Sequence, residues 1–176
     1  NIILSSIKQF KPEVIVNFIA QGEVRNSWKY PNDWYETNCM SVVKLTSKIY
    51  QHGFIKKYLA ISTPEVYGSS KINIDENNCF NPSTPYAASK LSGDLHLLTL
   101  FKKYNFPVVF TRSSNVYGEH QQLYRIIPKT IINLKKNKKI TLHGLGNSKR
   151  DFIHIYDVCS ALYKIIENGK LGETYH

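Results

Sequence analysis

The apolar positions of this chain fall in short β-branched runs separated by stretches of helical spacing. Val14-Ile15-Val16-Asn17-Phe18-Ile19, Tyr58-Leu59-Ala60-Ile61-Ser62 and Pro107-Val108-Val109-Phe110-Thr111 are compact runs. The first reads as a strand buried on both faces, and the others as further strands. Between them the period changes. Ser5 to Phe10 forms a short helix closed by Lys11-Pro12. Asp33 caps a long helix through Trp34, Met40, Val43, Leu45 and Ile49, stopped at Gly53. Thr84-Pro85 opens another, with proline near its first turn, carrying Tyr86, Lys90, Leu91, Leu95 and Leu98. Ile126 to Leu134 is helical, Ile140-Thr141-Leu142 is a short strand, and a last helix runs from Asp157, its N-cap, to Glu167. Thr63 to Ser83 is a loop with turn chemistry at Gly68, Asn77-Asn78 and Asn81-Pro82.

Strands alternating with helices predict an α/β fold with a doubly wound parallel sheet covered on both faces. Ligands of such sheets lie beyond the carboxyl ends of the strands. Ala20-Gln21, Ser62-Thr63-Pro64-Glu65 and Ser113-Ser114-Asn115 fall at those ends, and their side chains are small or polar.

Composition narrows this modestly. The 176 residues are 42% hydrophobic and 12% aromatic, enough for a sizeable core. No run approaches the ~20 apolar residues that span a membrane. The first residues do not resemble a signal peptide. Cys39, Cys79 and Cys159 are widely spaced, which points away from zinc and disulfides and toward a reducing cytosol. His143 and His154 show no ligand spacing, so no metal is expected. The net charge of +10 comes from scattered lysines, the densest cluster being Lys135-Lys136-Asn137-Lys138-Lys139. That cluster reads as the solvated end of a helix, so no nucleic-acid partner is expected, and an anionic small molecule suits the charge equally.

The candidate chemistry centres on Tyr86-Ala87-Ala88-Ser89-Lys90. Tyrosine and lysine at i, i+4 share one helix face. A nearby ammonium favours the phenolate and lowers a phenol pKa that starts near ~10, making an acid–base group usable near neutral pH.

Four segments carry a family likeness: Ser62-Thr63-Pro64-Glu65-Val66-Tyr67-Gly68, Ser83-Thr84-Pro85-Tyr86-Ala87-Ala88-Ser89-Lys90, Thr111-Arg112-Ser113-Ser114-Asn115-Val116-Tyr117-Gly118 and Arg150-Asp151-Phe152-Ile153-His154-Ile155-Tyr156-Asp157. They resemble S-T-x-E-[VM]-Y-G, S-P-Y-x-x-S-K, T-R-x-x-N-x-Y-G and R-D-[FW]-[IL]-x-V-x-D. These are the motifs of extended short-chain dehydrogenase/reductases, in the NAD-dependent epimerase/dehydratase group. The likeness is nearest to the NDP-sugar 4,6-dehydratases that act on dTDP-glucose or GDP-mannose. It implies residues 1–118 as a partial NAD-binding Rossmann domain. Residues 119–176 would be a partial substrate lobe with a returning strand and helix. No G-x-x-G-x-x-G opens the chain, so it resembles the middle of a longer enzyme, with an open apolar edge on its first strand. The family also implies a homodimer, seamed by the helices after Asp33 and Thr84, with Met40, Leu91, Leu95 and Leu98 available.

By that resemblance the cofactor is NAD and the partner an NDP-hexose. Tyr86 removes the 4-hydroxyl proton, Lys90 lowers its pKa and holds the ribose, and Thr63 orients the hydroxyl. Glu65 takes the C5 proton; its plain alternative is a turn cap. Ala20, Gln21, Ser62 and Ser113, with Tyr86 and Lys90, line the cofactor. Asn115, Arg125 and Arg150 face the substrate, with Ile126 and Leu142 near the diphosphate or base. Arg150 could instead be a surface arginine beside Asp151, and Asn38 a structural amide within its helix. Position 64 departs from the family, where an aspartate or serine precedes the glutamate. Pro64 has no group to protonate a leaving hydroxyl. This leaves open a 4- or 5-epimerase or a 5,6-dehydratase of the same family. A non-catalytic NAD- or RNA-binding relative is a further alternative, opposed by the intact Thr63, Tyr86 and Lys90.

Overall fold

The computed structural model describes residues 2–69, 73–77, 79–141, 146 and 149–176. The chain forms two compact units, Asn1–Ser113 with Lys164–His176, and Ser114–Tyr163.

The first unit is built on a parallel sheet of order β1-β2-β3-β6: β1 (Val14–Asn17), β2 (Lys57–Ile61), β3 (Val108–Thr111) and β6 (Thr174–Tyr175). The register aligns Asn17 with Ala60 and Ile61 with Thr111, so neighbouring strands end together. β3 is buried at every position, as a two-sided central strand must be. β1 is not buried on both faces: Val14 is exposed and the rest half-buried, because β1 lies at the end of the strand order.

Helices α1 (Ile2–Phe10), α2 (Val24–Lys29), α3 (Pro31–Tyr35), α4 (Ser41–Ile49) and α5 (Pro85–Tyr104) complete this unit, with the C-terminal part of α7 (Ile155–Asn168). The core gathers Val42 and Ile49 from α4, Tyr58 and Ala60 from β2, Leu97 and Leu100 from α5, and Val108 and Phe110 from β3. The terminus of α7 is tied back by Lys57, whose Nζ donates to the carbonyls of Ile165 (3.0 Å) and Ile166 (2.6 Å). A cation there meets the negative end of the helix dipole.

Between α3 and α4 the backbone winds as a π-helix over Glu36–Met40, so Pro31 to Ile49 is one continuous rod. Asp33 is therefore not an N-cap: Pro31, with its preset φ, starts the helix two positions earlier. The rod also stops short of Gly53. α2 has no counterpart in the hydrophobic pattern, being a polar six-residue helix.

The second unit holds β4 (Asn115–Tyr117) parallel to β5 (Phe152–His154), with α6 (Ile126–Lys135) and the start of α7. Asp157 lies in the first turn of α7 rather than at its N-cap, because β5 runs directly into the helix. Ile140 and Thr141 belong to no strand; Leu142 and His143 lie outside the described residues, as does Asn78.

Candidate active site

β2 stops at Ile61, and the chain turns at once into a 3₁₀ helix, Pro64–Tyr67. Ser62 still belongs to the ladder, its N–H donating to the Thr111 carbonyl at 2.8 Å. Thr63 is the buried N-cap, and its Oγ1 accepts from the Glu65 N–H at 3.3 Å. Pro64 occupies the first helical position, where no N–H is needed. Glu65 is half-buried in that first turn. Gly68 ends the turn at φ 73°, and a Cβ there would lie 2.2 Å from the Asn81 carbonyl oxygen.

α5 begins at Pro85 with Thr84 as cap, its Oγ1 accepting from the Ala87 N–H at 3.1 Å. The expected helix start thus holds to the residue. Tyr86 is half-buried in the first turn. Lys90, 8% exposed, donates from Nζ to the Ile61 carbonyl at 2.7 Å. Burial pulls the Lys90 pKa down, and the Asp94 carboxylate works against that. The ammonium has three protons, so one bond to Ile61 leaves donors for a ligand.

Asn38, at the centre of the π-helix and 2% exposed, ties the end of β1 to α5. Its Nδ2 donates to the Gln21 carbonyl and to Ser89 Oγ, both at 3.0 Å, and its Oδ1 accepts from the Gln21 N–H at 2.7 Å. Ser89 Oγ in turn donates to the Tyr86 carbonyl at 2.8 Å. The loop holding Ala20 and Gln21 is thereby bonded to the turn that carries Tyr86. A π-helix inserts one residue into a helical rod, and such insertions concentrate at functional sites. The side chains of Ala20 and Gln21 stay exposed, and Ser113 is half-buried after β3.

Ser62 faces elsewhere. Its Oγ donates to Asp94 Oδ2 at 2.5 Å. Arg112, 4% exposed, reaches the same oxygen from NH2 at 3.2 Å. Its NH1 donates to the Tyr67 hydroxyl at 2.5 Å, and its guanidinium lies 5.1 Å from the ring centroids of Tyr67 and Phe80. Burial raises the Asp94 pKa, against the pull of the Ser62 hydrogen bond, Arg112 and Lys90. Burial likewise raises that of Tyr67. Asp94 is the residue that sequence reasoning passed over. The available signal was its position one turn beyond Lys90, a carboxylate on the face that carries the tyrosine and lysine.

Asn115, Arg125 and Arg150 belong to the second unit. Asn115 is exposed, and its Nδ2 donates to the Asp151 carbonyl at 3.0 Å. Arg125 precedes α6, with its guanidinium 5.5 Å from the Tyr124 ring centroid. Arg150 is exposed.

Chemically, the first unit presents two hydroxyls, a carboxyl and a buried ammonium at the carboxyl end of a parallel sheet. That set can move protons at a bound alcohol.

Comparison with known proteins agrees with this arrangement. The model of the NAD dependent epimerase/dehydratase family matches residues 2–176. The dTDP-D-glucose 4,6-dehydratase of Mus musculus is 36% identical over 167 residues, covering 94% of this chain and 47% of that protein. A Bacillus anthracis dTDP-glucose 4,6-dehydratase solved in complex with NAD superposes with a TM-score of 0.88 at 35% identity, covering 99% of this chain and 53% of that one. A Bacillus cereus UDP-glucuronic acid 4-epimerase, solved with UDP-glucuronic acid and NAD, gives a TM-score of 0.88 at 30% identity, covering 97% and 55%. The chain spans about half the length of the curated relatives it matches. On the family match and the parallel sheet alike, this chain belongs to the NAD dependent epimerase/dehydratase family.

Proposed function

We propose that this chain carries the catalytic part of an NAD-dependent NDP-hexose 4,6-dehydratase, of the kind that acts on dTDP-glucose. The observation that carries the reading is the buried Lys90, bonded to Ile61 at the end of β2 and one turn from Tyr86. The residues suit NAD: a buried ammonium with spare donors and small or polar side chains at three strand ends match a hydroxyl-rich ribose. Lys90 and Tyr86 would hold it, with Ala20, Gln21 and Ser113 around it, whereas the Ser62 hydroxyl is turned to Asp94.

When bound, NAD would supply hydride-transfer chemistry, as acceptor for oxidation at C4 and donor for reduction at C6. Tyr86 accepts the proton of the 4-hydroxyl, and the Lys90 ammonium stabilises its phenolate. Thr63 Oγ1 already accepts from the Glu65 N–H, so its own proton remains to orient that hydroxyl. Glu65 takes the C5 proton, acidified by the 4-keto group. Pro64 offers no proton to the departing 6-hydroxyl, so Glu65 or a water delivers it. Asn115, Arg125 and Arg150 bind the nucleotide and diphosphate side, where a planar guanidinium suits paired oxygens.

Pro64 also supports a second reading, an epimerase acting at C4 or C5, which needs no leaving-group acid. Native-length protein, NAD and a panel of NDP-hexoses separate the two. A product lighter by one water supports the dehydratase; an unchanged mass with inverted stereochemistry replaces it with the epimerase.

The protein is further proposed to act as a cytosolic homodimer. Met40 and Leu95, at 41% and 44% exposure, support a seam between helices. Leu91 is buried within its own subunit and Leu98 packs on the core, so neither supplies that seam. No helix among the described residues is long and apolar enough to cross a membrane.

A further inference from the structure

We propose that Asp94 is a positioning residue of this site, holding Thr63 and Glu65 in register with Tyr86 and Lys90. The inference rests on the reading of those four residues as the catalytic set.

The argument begins with connectivity. Thr63 and Glu65 lie on a segment only a few residues long, and both of its ends are tied to one buried ion pair. Ser62, before Thr63, donates to Asp94 Oδ2 at 2.5 Å. Tyr67, the last residue of the 3₁₀ turn, accepts from Arg112 NH1 at 2.5 Å. Arg112 NH2 and Asp94 Oδ2 close the circuit at 3.2 Å, with side-chain exposures of 3% and 8%. Asp94 stands on α5, one turn after Lys90, so the helix that carries Tyr86 and Lys90 also carries the anchor of the opposing segment. Lys90 bonds to Ile61 while Asp94 bonds to Ser62. Two consecutive residues at the end of β2 are thus gripped by two residues of α5. A shift of α5 along its axis would break both bonds together.

Stability alone does not require this arrangement. A buried ion pair is often replaceable by apolar side chains of similar volume without loss of stability. What an apolar replacement cannot do is hold Ser62 by its hydroxyl or place a negative charge beside Lys90. The charged and titratable groups around the pair are few. Lys90 faces the Asp94 carboxylate on its own helix and the Ile61 carbonyl on β2. Asp94 faces Ser62 from the end of β2, Arg112 from the end of β3, and Lys90. Arg112 faces Tyr67, whose hydroxyl lies 3.0 Å from His176 Nε2 and 3.4 Å from the Glu76 carbonyl oxygen. Asp94 is therefore the carboxylate that holds the Lys90 pKa up against its burial.

The two roles separate by substitution in the native-length protein. Ser62→Ala removes the bond and keeps the charge. Its kcat is expected to fall about tenfold, with the alkaline limb of the pH profile unmoved. Asp94→Asn keeps an acceptor for Ser62 and removes the charge. Its alkaline limb in kcat/KM is expected to move down by about one pH unit, since Lys90 without the carboxylate loses its proton at lower pH and a neutral Lys90 no longer stabilises the Tyr86 phenolate. A readout independent of turnover is the titration of the Lys90 13Cε resonance in lysine-labelled protein, assigned with Lys90→Arg. Its midpoint is expected to fall in Asp94→Asn. An unmoved Lys90 midpoint in Asp94→Asn, or full kcat in Ser62→Ala, overturns the proposal. If Asp94→Asn does not fold, Ser62→Ala, which leaves the ion pair intact, still decides it through kcat. Wild-type protein inactive on every NDP-hexose would remove the functional reading instead, and the Lys90 titration would then decide whether Asp94 governs its charge.

Discussion

Lys90 Nζ donates a 2.7 Å hydrogen bond to the carbonyl oxygen of Ile61, joining the tyrosine–lysine turn of α5 to the last residue of β2. Helical spacing brings Lys90 beneath Tyr86. The bond to Ile61 then sets that turn against the strand end where Thr63 and Glu65 emerge. Substitutions can therefore be sorted by whether they strip a reacting group or loosen this seam.

Tyr86→Phe strips the hydroxyl proposed as the base. It removes one hydroxyl from a half-buried ring and keeps the volume. In the native-length protein, kcat is expected to fall by about 100- to 10,000-fold, the usual worth of a positioned acid–base group. Nucleotide-sugar affinity, measured by calorimetry, should stay close to wild type. A kcat within threefold of wild type would discard Tyr86 as the base.

Glu65→Gln keeps the shape of the 3₁₀ turn, because the backbone N–H that Thr63 caps is unchanged. It removes the carboxylate proposed to take the C5 proton. Proton NMR in deuterated water should show loss of exchange at C5 and no release of water. Persistent exchange would assign the proton to another group.

Gly93→Ala tests the packing behind the site. A Cβ at Gly93 would lie 2.5 Å from the backbone carbonyl oxygen of Asn38, so α5 must move off the π-helix. Overpacking of this kind costs about 1–3 kcal/mol. Urea denaturation should show that loss, and activity should fall with it because Asn38 also holds Gln21 and Ser89.

Asp94→Ala is expected to be the more damaging change. It leaves the Arg112 guanidinium buried without its carboxylate, which costs about 3–5 kcal/mol. Thermal denaturation checks this. An unchanged Tm would mean that Arg112 finds another partner.

His96 carries a pH dependence unrelated to catalysis. Its Nε2 lies 3.0 Å from Thr46 Oγ1, and that hydroxyl already donates to the Val42 carbonyl, so the imidazole is the donor. Burial lowers the His96 pKa. The unfolded chain then binds the proton more readily than the folded one, so stability rises with pH wherever the two differ. The full contribution is present above the unfolded value near ~6.5 and declines as pH falls through it toward the folded value. Urea titrations at several pH values should show this slope in wild type and a flatter one in His96→Gln.

Much of this protein was legible along the chain. Three strands and the helix opened by Thr84-Pro85 follow from β-branched runs and capping chemistry, and both are local properties. The tyrosine–lysine turn was legible for the same reason, since helical periodicity alone brings the two residues together. The short strands β4 and β5 were not. Each has only three residues, too few for a period to register, and each forms by pairing with the other. Asp33 and Asp157 looked like caps because aspartate favours that position, yet Pro31 and β5 start those helices earlier.

Local pattern along the chain was enough to pick out the candidate chemistry: a tyrosine with a lysine one turn on, and a threonine and glutamate at a strand end. What surrounds those residues follows from packing. Asn38 meets Gln21 and Ser89, and Asp94 meets Ser62 and Arg112, across separations at which no local pattern survives. Those partners are selected by burial. A polar group taken out of water must find another, and only the packed sheet and helices determine which one lies within reach.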